Sequence, residues 1–153
     1  MMFRTHLVFS FLLGLLFLKF FSLQNFLLFL VMVFVASGLP DLDTGKSVIS
    51  RKTRIVSWIF RIFKHRGIMH SLFFALLLLL VFLFFNQKEI AFGILVGYGS
   101  HLLLDGLTKE GIQLFYPFSF RFRGFLKTNG LFEKVLFYAF LILSLYFVIK
   151  GIF

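Results

Sequence analysis

Residues 68–85 read IMHSLFFALLLLLVFLFF, and this run decides the fold class. It carries no Asp, Glu, Lys or Arg. Its length falls within the roughly 17–25 apolar residues that a membrane-spanning helix needs. Outward from it, comparable runs cover Leu7–Leu23, Phe26–Leu39, Ile90–Leu104 and Leu131–Ile149. The 26–39 and 90–104 runs are short for full spans, so their ends are expected in the interface or inside the bundle. Composition agrees: 60% of the 153 residues are hydrophobic, 27 are Phe, and mean hydropathy is +1.00, against about 45–50% apolar residues in soluble domains. The expected fold is all-α, a polytopic membrane bundle of about five apolar helices in one domain over residues 1–153. No small-residue cleavage site follows the first run, so it is read as part of the mature protein rather than as a signal peptide.

The chemistry gathers at the ends of these runs. His6 precedes the first, Leu39-Pro40-Asp41-Leu42-Asp43 follows the second, His65 to His70 opens the third, and Ser100-His101-Leu102-Leu103-Leu104-Asp105 closes the fourth. Antiparallel helices alternate direction, so all four sets are expected on one membrane face. The absence of cysteine excludes disulfides and thiolate metal sites, leaving imidazole and carboxylate as strong ligands. His101 and Asp105, spaced i, i+4, share one helix face. That spacing suits two ligands of one metal and equally a direct His–Asp hydrogen bond. Asp105, like the Asp41 and Asp43 pair, follows a helix C-terminus, where the macrodipole disfavours an anion by about 0.3–1 kcal/mol. A divalent cation would resolve both conflicts, with Asp41 a direct ligand and Asp43 either a second ligand or a carboxylate orienting an imidazole. Gly67 permits a turn between His65 and His70. The N-terminal dipole end then favours a neutral His70, free to ligate.

The net charge of +10 does not point to nucleic acid, because its placement follows the membrane. Arg4, Lys46, Arg51, Lys52, Arg54, Arg61, Lys64, Arg66, Lys109, Arg121, Arg123, Lys127 and Lys134 lie on the motif side; Lys19, Lys88 and Lys150 lie opposite. The positive-inside rule then makes the motif side cytoplasmic. Thr53 to Lys64 sorts into a cationic face and an apolar face with Trp58 at the border, an amphipathic helix on the membrane surface. The Gly106–Gly130 loop holds four further punctuating residues, Gly111, Pro117, Gly124 and Gly130, and is expected to be irregular and packed over the bundle mouth.

As an ordered set, Thr5-His6-Leu7, Leu39-Pro40-Asp41-Leu42-Asp43, His65-Arg66-Gly67 with His70-Ser71-Leu72, and Ser100 to Asp105 through Thr108, Gly111 and Pro117-Phe118 resemble the YdjM-like family of membrane-bound metal-dependent hydrolases. The similarity covers residues 5–133. One departure is Met69, where that family usually has Thr before the histidine. The family in turn resembles zinc-dependent phospholipases C and single-strand nucleases. The resemblance implies hydrolysis of a phosphoester or phospholipid-like substrate. Seven candidate ligands, His6, Asp41, Asp43, His65, His70, His101 and Asp105, exceed what one zinc takes, so of one or two divalent ions of zinc type activating water, two fit better than one. Arg66, Arg121 and Arg123 are candidates for holding a phosphate, and Asp43, Ser71, Thr108 and Glu133 for orienting ligands or moving protons. Membrane lipids are the expected partners. A metal-ion transporter and a non-catalytic membrane scaffold are the rival classes. A transporter would place its ligands near the bilayer midplane, commonly within repeats, and no repeat is visible.

Overall fold

The computed structural model describes residues 1–43 and 68–151, without the side chains of Leu42 and Asp43. The expected amphipathic helix at 53–64, together with His65 and Arg66, lies outside the described residues. Five α-helices are present among those described: α1 Phe3–Phe20, α2 Phe26–Gly38, α3 Leu72–Phe84, α4 Lys88–Gly106 and α5 Leu131–Lys150. Short 3-10 turns, Leu39–Asp43 and Ile68–His70, follow α2 and precede α3. Among the described residues the only β pairing is two isolated bridges in the 107–130 loop, Thr108 with Leu126 and Ile112 with Phe122.

The all-helical expectation holds, and the spans differ from it. Among the described residues two helices, α1 and α5, are long and apolar enough to cross a membrane. α3 has 13 residues, because Ser71 caps it by accepting a hydrogen bond from the Phe74 N–H and thereby fixes a late start. At about 1.5 Å per residue, α2 and α3 reach only about 20 Å, short of a hydrocarbon core of about 30 Å. α4 runs longer than its apolar segment, to 19 residues, but includes Lys88, Glu89, His101 and Asp105.

α2 and α4 form the centre of the bundle. Gly93 and Gly97 bring the two backbones together: a Cβ at Gly93 would meet the Phe29 carbonyl at 2.9 Å, and one at Gly97 would strike the Val33 carbonyl. Glycines four apart let helices approach in the way membrane bundles favour. α1 crosses this pair, with Gly14 against Leu30 and Val33, and α5 lies outside α1, where Phe9 and Phe140 meet at 4.7 Å. α3 packs on the other side of α4 around Ala75, Ile94, Tyr98 and Leu102.

Beside an apolar core that includes Leu15, Phe29, Val33, Ile94 and Leu104, the interior carries many polar groups and the surface many apolar ones. The interior holds Thr5, His6, Ser10, Ser37, His70, Ser100, His101, Asp105 and Glu133, while Leu80, Phe84, Phe132, Ile142 and Ile149 stand exposed. A soluble monomer rarely leaves so extensive an apolar surface in water.

Candidate metal centre

The site grows out of the α2–α4 contact. Phe29, Val33 and Ser37 face Gly93, Gly97 and His101, one turn per step along both helices. The last carbonyls of a helix have no partner within it. Here the His101 Nδ1–H donates to the Ser37 carbonyl at 2.8 Å, filling that need with an imidazole. This bond places the proton on Nδ1 and, in the neutral ring, leaves the lone pair on Nε2. Nε2 faces two carboxylates, Asp105 Oδ2 at 3.6 Å and Asp41 Oδ1 at 3.9 Å. In the neutral ring this lone pair faces two anions, a repulsion relieved either by a cation between them or by protonation of Nε2, which would then donate to a carboxylate.

Three further helix ends close on the same point. His6, in the first turns of α1, stacks on His101 with ring centres 4.0 Å apart, and its Nε2 lies 3.2 Å from Asp105 Oδ1. His70 sits in the turn before α3, its Nε2 3.9 Å from Asp105 Oδ2. The Tyr98 hydroxyl donates to the Met69 carbonyl and ties that turn to α4. The α-ammonium of Met1 stands 2.6 Å from Asp105 Oδ1, so a cation already touches this carboxylate. Glu133, at the start of α5, accepts the Met2 N–H at 2.6 Å and the Asn129 N–H at 2.5 Å, latching the segment that leads into His6.

The donor set suits a divalent metal. His6, Asp41 and His101 form one group and His70, His101 and Asp105 another, each offering one ligand atom per residue within 4.8 Å of the others. His6, His70, His101 and Asp105 are buried, and only Asp41 of the five is half-exposed. Both nitrogens of His6 and Nε2 of His101 are without hydrogen bonds of normal geometry among the described residues. Imidazole nitrogens facing carboxylates in a buried pocket are a nitrogen–oxygen set of the kind zinc-type ions take.

Of the sequence candidates, the fold therefore gathers His6, Asp41, His70, His101 and Asp105. Asp43 ends the 3-10 turn after α2, its side chain outside the description, as are His65 and Arg66. The Thr108 hydroxyl donates to the Asp105 carbonyl at 2.7 Å and accepts the Gly111 N–H, fastening the loop to the end of α4. Ser71 is spent on capping α3. Arg121 is exposed on the loop, its guanidinium 3.4 Å from the Glu110 carbonyl. Sequence reasoning missed Ser37 and Tyr98. A phenol three residues before His101 in an apolar helix needs a buried acceptor, and that was the available signal for Tyr98. Ser37 acts through its carbonyl, which no side-chain pattern reveals.

Known proteins are similar to this chain in sequence. The chain is 32% identical over 117 residues to YvsG of Bacillus subtilis (strain 168), covering 74% of this chain and 73% of that protein. It is 38% identical over 92 residues to the inner membrane protein YdjM of Escherichia coli (strain K12) and to that of Shigella flexneri, covering 56% of this chain and 47% of each relative. The matched stretch thus spans about half the length of those YdjM proteins. No solved structure matches the chain. The family model described as YdjM inner membrane protein matches residues 1–153. By that match over its whole length, the chain belongs to the YdjM inner membrane protein family.

Proposed function

We propose that this protein is a polytopic membrane hydrolase that uses one or two divalent ions of zinc type, at a cytoplasm-facing site, on a phosphoester or phospholipid-like substrate. The observation that carries it is the Nε2 lone pair of His101, fixed by the Ser37 carbonyl and aimed at Asp41 and Asp105. His6 and His70 complete the donor set. Bound there, a divalent ion would polarise a phosphoryl oxygen and lower the pKa of a coordinated water. Burial of His6, His70, His101 and Asp105 excludes bulk water, and the half-exposed Asp41 marks the side from which a substrate arrives. Arg121, on the exposed loop, meets the substrate phosphate, which a guanidinium can hold through two parallel hydrogen bonds.

Elemental analysis of the detergent-purified protein, paired with a hydrolysis panel of phospholipids, lipid diphosphates and nucleotides, tests this. Stoichiometric metal is expected, with Asp105→Asn losing metal and activity together and Arg121→Ala losing substrate use while keeping metal. A metal-bound wild type that hydrolyses nothing on the panel removes the hydrolase and keeps the metal centre. Metal flux in proteoliposomes without hydrolysis would favour a transporter. A non-catalytic scaffold has one observation of its own, the Met1 ammonium against Asp105, which neutralises the carboxylate without metal. It predicts a wild type free of stoichiometric metal.

A further inference from the structure

A second concavity lies away from the histidines. It is a groove of about 510 Å³ between α4 and the loop that follows it, bounded by Gly99, Leu103 and Gly106 on the helix and by Leu114, Phe122 and Arg123 on the loop. At about 100° per residue, these α4 positions lie roughly 140–160° around the helix from His101 and roughly 100–160° from Asp105, turned away from the histidine face. A Cβ at Gly99 or Gly106 would meet nothing within 4 Å, so two glycines two turns apart keep the floor open without serving any helix contact.

The loop side of the groove is built. The Ile112 N–H donates to the Phe122 carbonyl at 2.9 Å and the Phe122 N–H to the Ile112 carbonyl at 2.8 Å. Gly124 lies so close to the Leu107 carbonyl that no side chain fits there. Arg123 stands between these two fixed points, and none of the ion pairs among the described residues involves it. Around it Phe118, Phe120, Phe122 and Phe125 are all more than half exposed, interleaved with Arg121 and Arg123. Exposed aromatic rings beside guanidiniums fit the level of lipid headgroups, where one end of a side chain is apolar and the other wet.

We infer that this groove seats one anionic phospholipid, an acyl chain lying over Gly99 and Gly106 and the headgroup phosphate meeting Arg123. The volume falls within the roughly 300–1,000 Å³ of small-ligand sites and is too small for a partner helix about 10–12 Å across. An apolar floor ending in a cation matches a molecule with an apolar tail and an anionic head. This inference does not rest on the hydrolase reading, since it uses none of the metal-centre residues.

The test is retention of lipid by the full-length protein. It is reconstituted in nanodiscs of equal phosphatidylglycerol and phosphatidylcholine, moved to detergent, and its bound lipids are counted by native mass spectrometry. Wild type is expected to keep phosphatidylglycerol over phosphatidylcholine by about five-fold, because both lipids carry the phosphate but the choline ammonium of phosphatidylcholine cancels its charge, and this is the factor that one cation near a net-anionic headgroup supplies. Arg123→Gln should erase that preference. Gly99→Leu, which fills the floor, should lower retention of both lipids with an unchanged melting temperature. Equal retention of the two headgroups by wild type overturns the proposal, as does wild-type behaviour in both variants.

Discussion

Asp105 is the residue on which most of the centre depends, because His6, His70, His101 and the Met1 ammonium all lie within 4 Å of its two oxygens. If a divalent ion binds the folded protein there, mass action stabilises it by about 2.7 kcal/mol at a hundred-fold excess over Kd. A chelator should therefore lower the melting temperature of wild type and leave that of Asp105→Asn unmoved. Equal chelator sensitivity in the two proteins would place the metal elsewhere. Glu133 works at one remove. It holds two backbone N–H groups, and hydrogen bonds to a charged acceptor contribute about 1.5–3 kcal/mol each. Glu133→Gln, whose amide must turn an N–H toward one of those donors, is expected to cost about that much in thermal or denaturant unfolding. Stoichiometric metal should survive at saturating concentration, because Glu133 positions the segment before His6 and is not itself a donor to the ion. Loss of metal at saturation would promote Glu133 to a ligand.

At the scale of helices, the candidate metal centre depends on the register between α2 and α4, which the glycines set. Gly97 and Gly99 are two residues apart and opposite in consequence. A methyl at Gly97 collides with the Val33 backbone, whereas one at Gly99 finds open space. Gly97→Ala should destabilise by about 1–3 kcal/mol, as overpacking does, and should pull His101 off the Ser37 carbonyl. Gly99→Ala should be neutral or stabilise by up to about 1 kcal/mol through helix propensity alone. Thermal unfolding in one detergent compares them directly, and equal effects would refute the close α2–α4 approach. The sequence shows why some of this was legible. Apolar runs without acidic or basic breaks marked most of the helices, and i, i+4 spacing put His101 and Asp105 together. The start of α3 was half legible, because Ser71 before Leu72 is an N-cap signal, but the apolar run that reaches back to Ile68 hid the turn before it. The Ser37–His101 bond was hidden because it joins a backbone carbonyl to a ring 64 residues away.

For the molecule as a whole, the alternation of helix direction brings five chain segments to one end, and the cations follow. Arg4, Lys109, Arg121, Arg123, Lys127 and Lys134 stand at the end that carries the histidines; Lys19, Lys88 and Lys150 stand at the other end of α1, α4 and α5. Cations near the ends of apolar helices are retained on the cytoplasmic side during insertion, so the site end is expected inside the cell. α1 then enters from the cytoplasm and α5 leaves it, which puts residue 153 outside. A reporter fused after Phe153 should be active only in the external compartment, and one inserted in the exposed stretch at Ser119 only in the cytoplasm. Substituting Glu for Arg121, Arg123 and Lys127 should weaken or reverse this orientation, because loop cations rather than net charge hold it. An external reading at Ser119 with an internal one after Phe153 would turn the molecule over. The half-exposed Asp41 would then open outward, and any substrate reaching His101 and Asp105 would have to come from outside the cell.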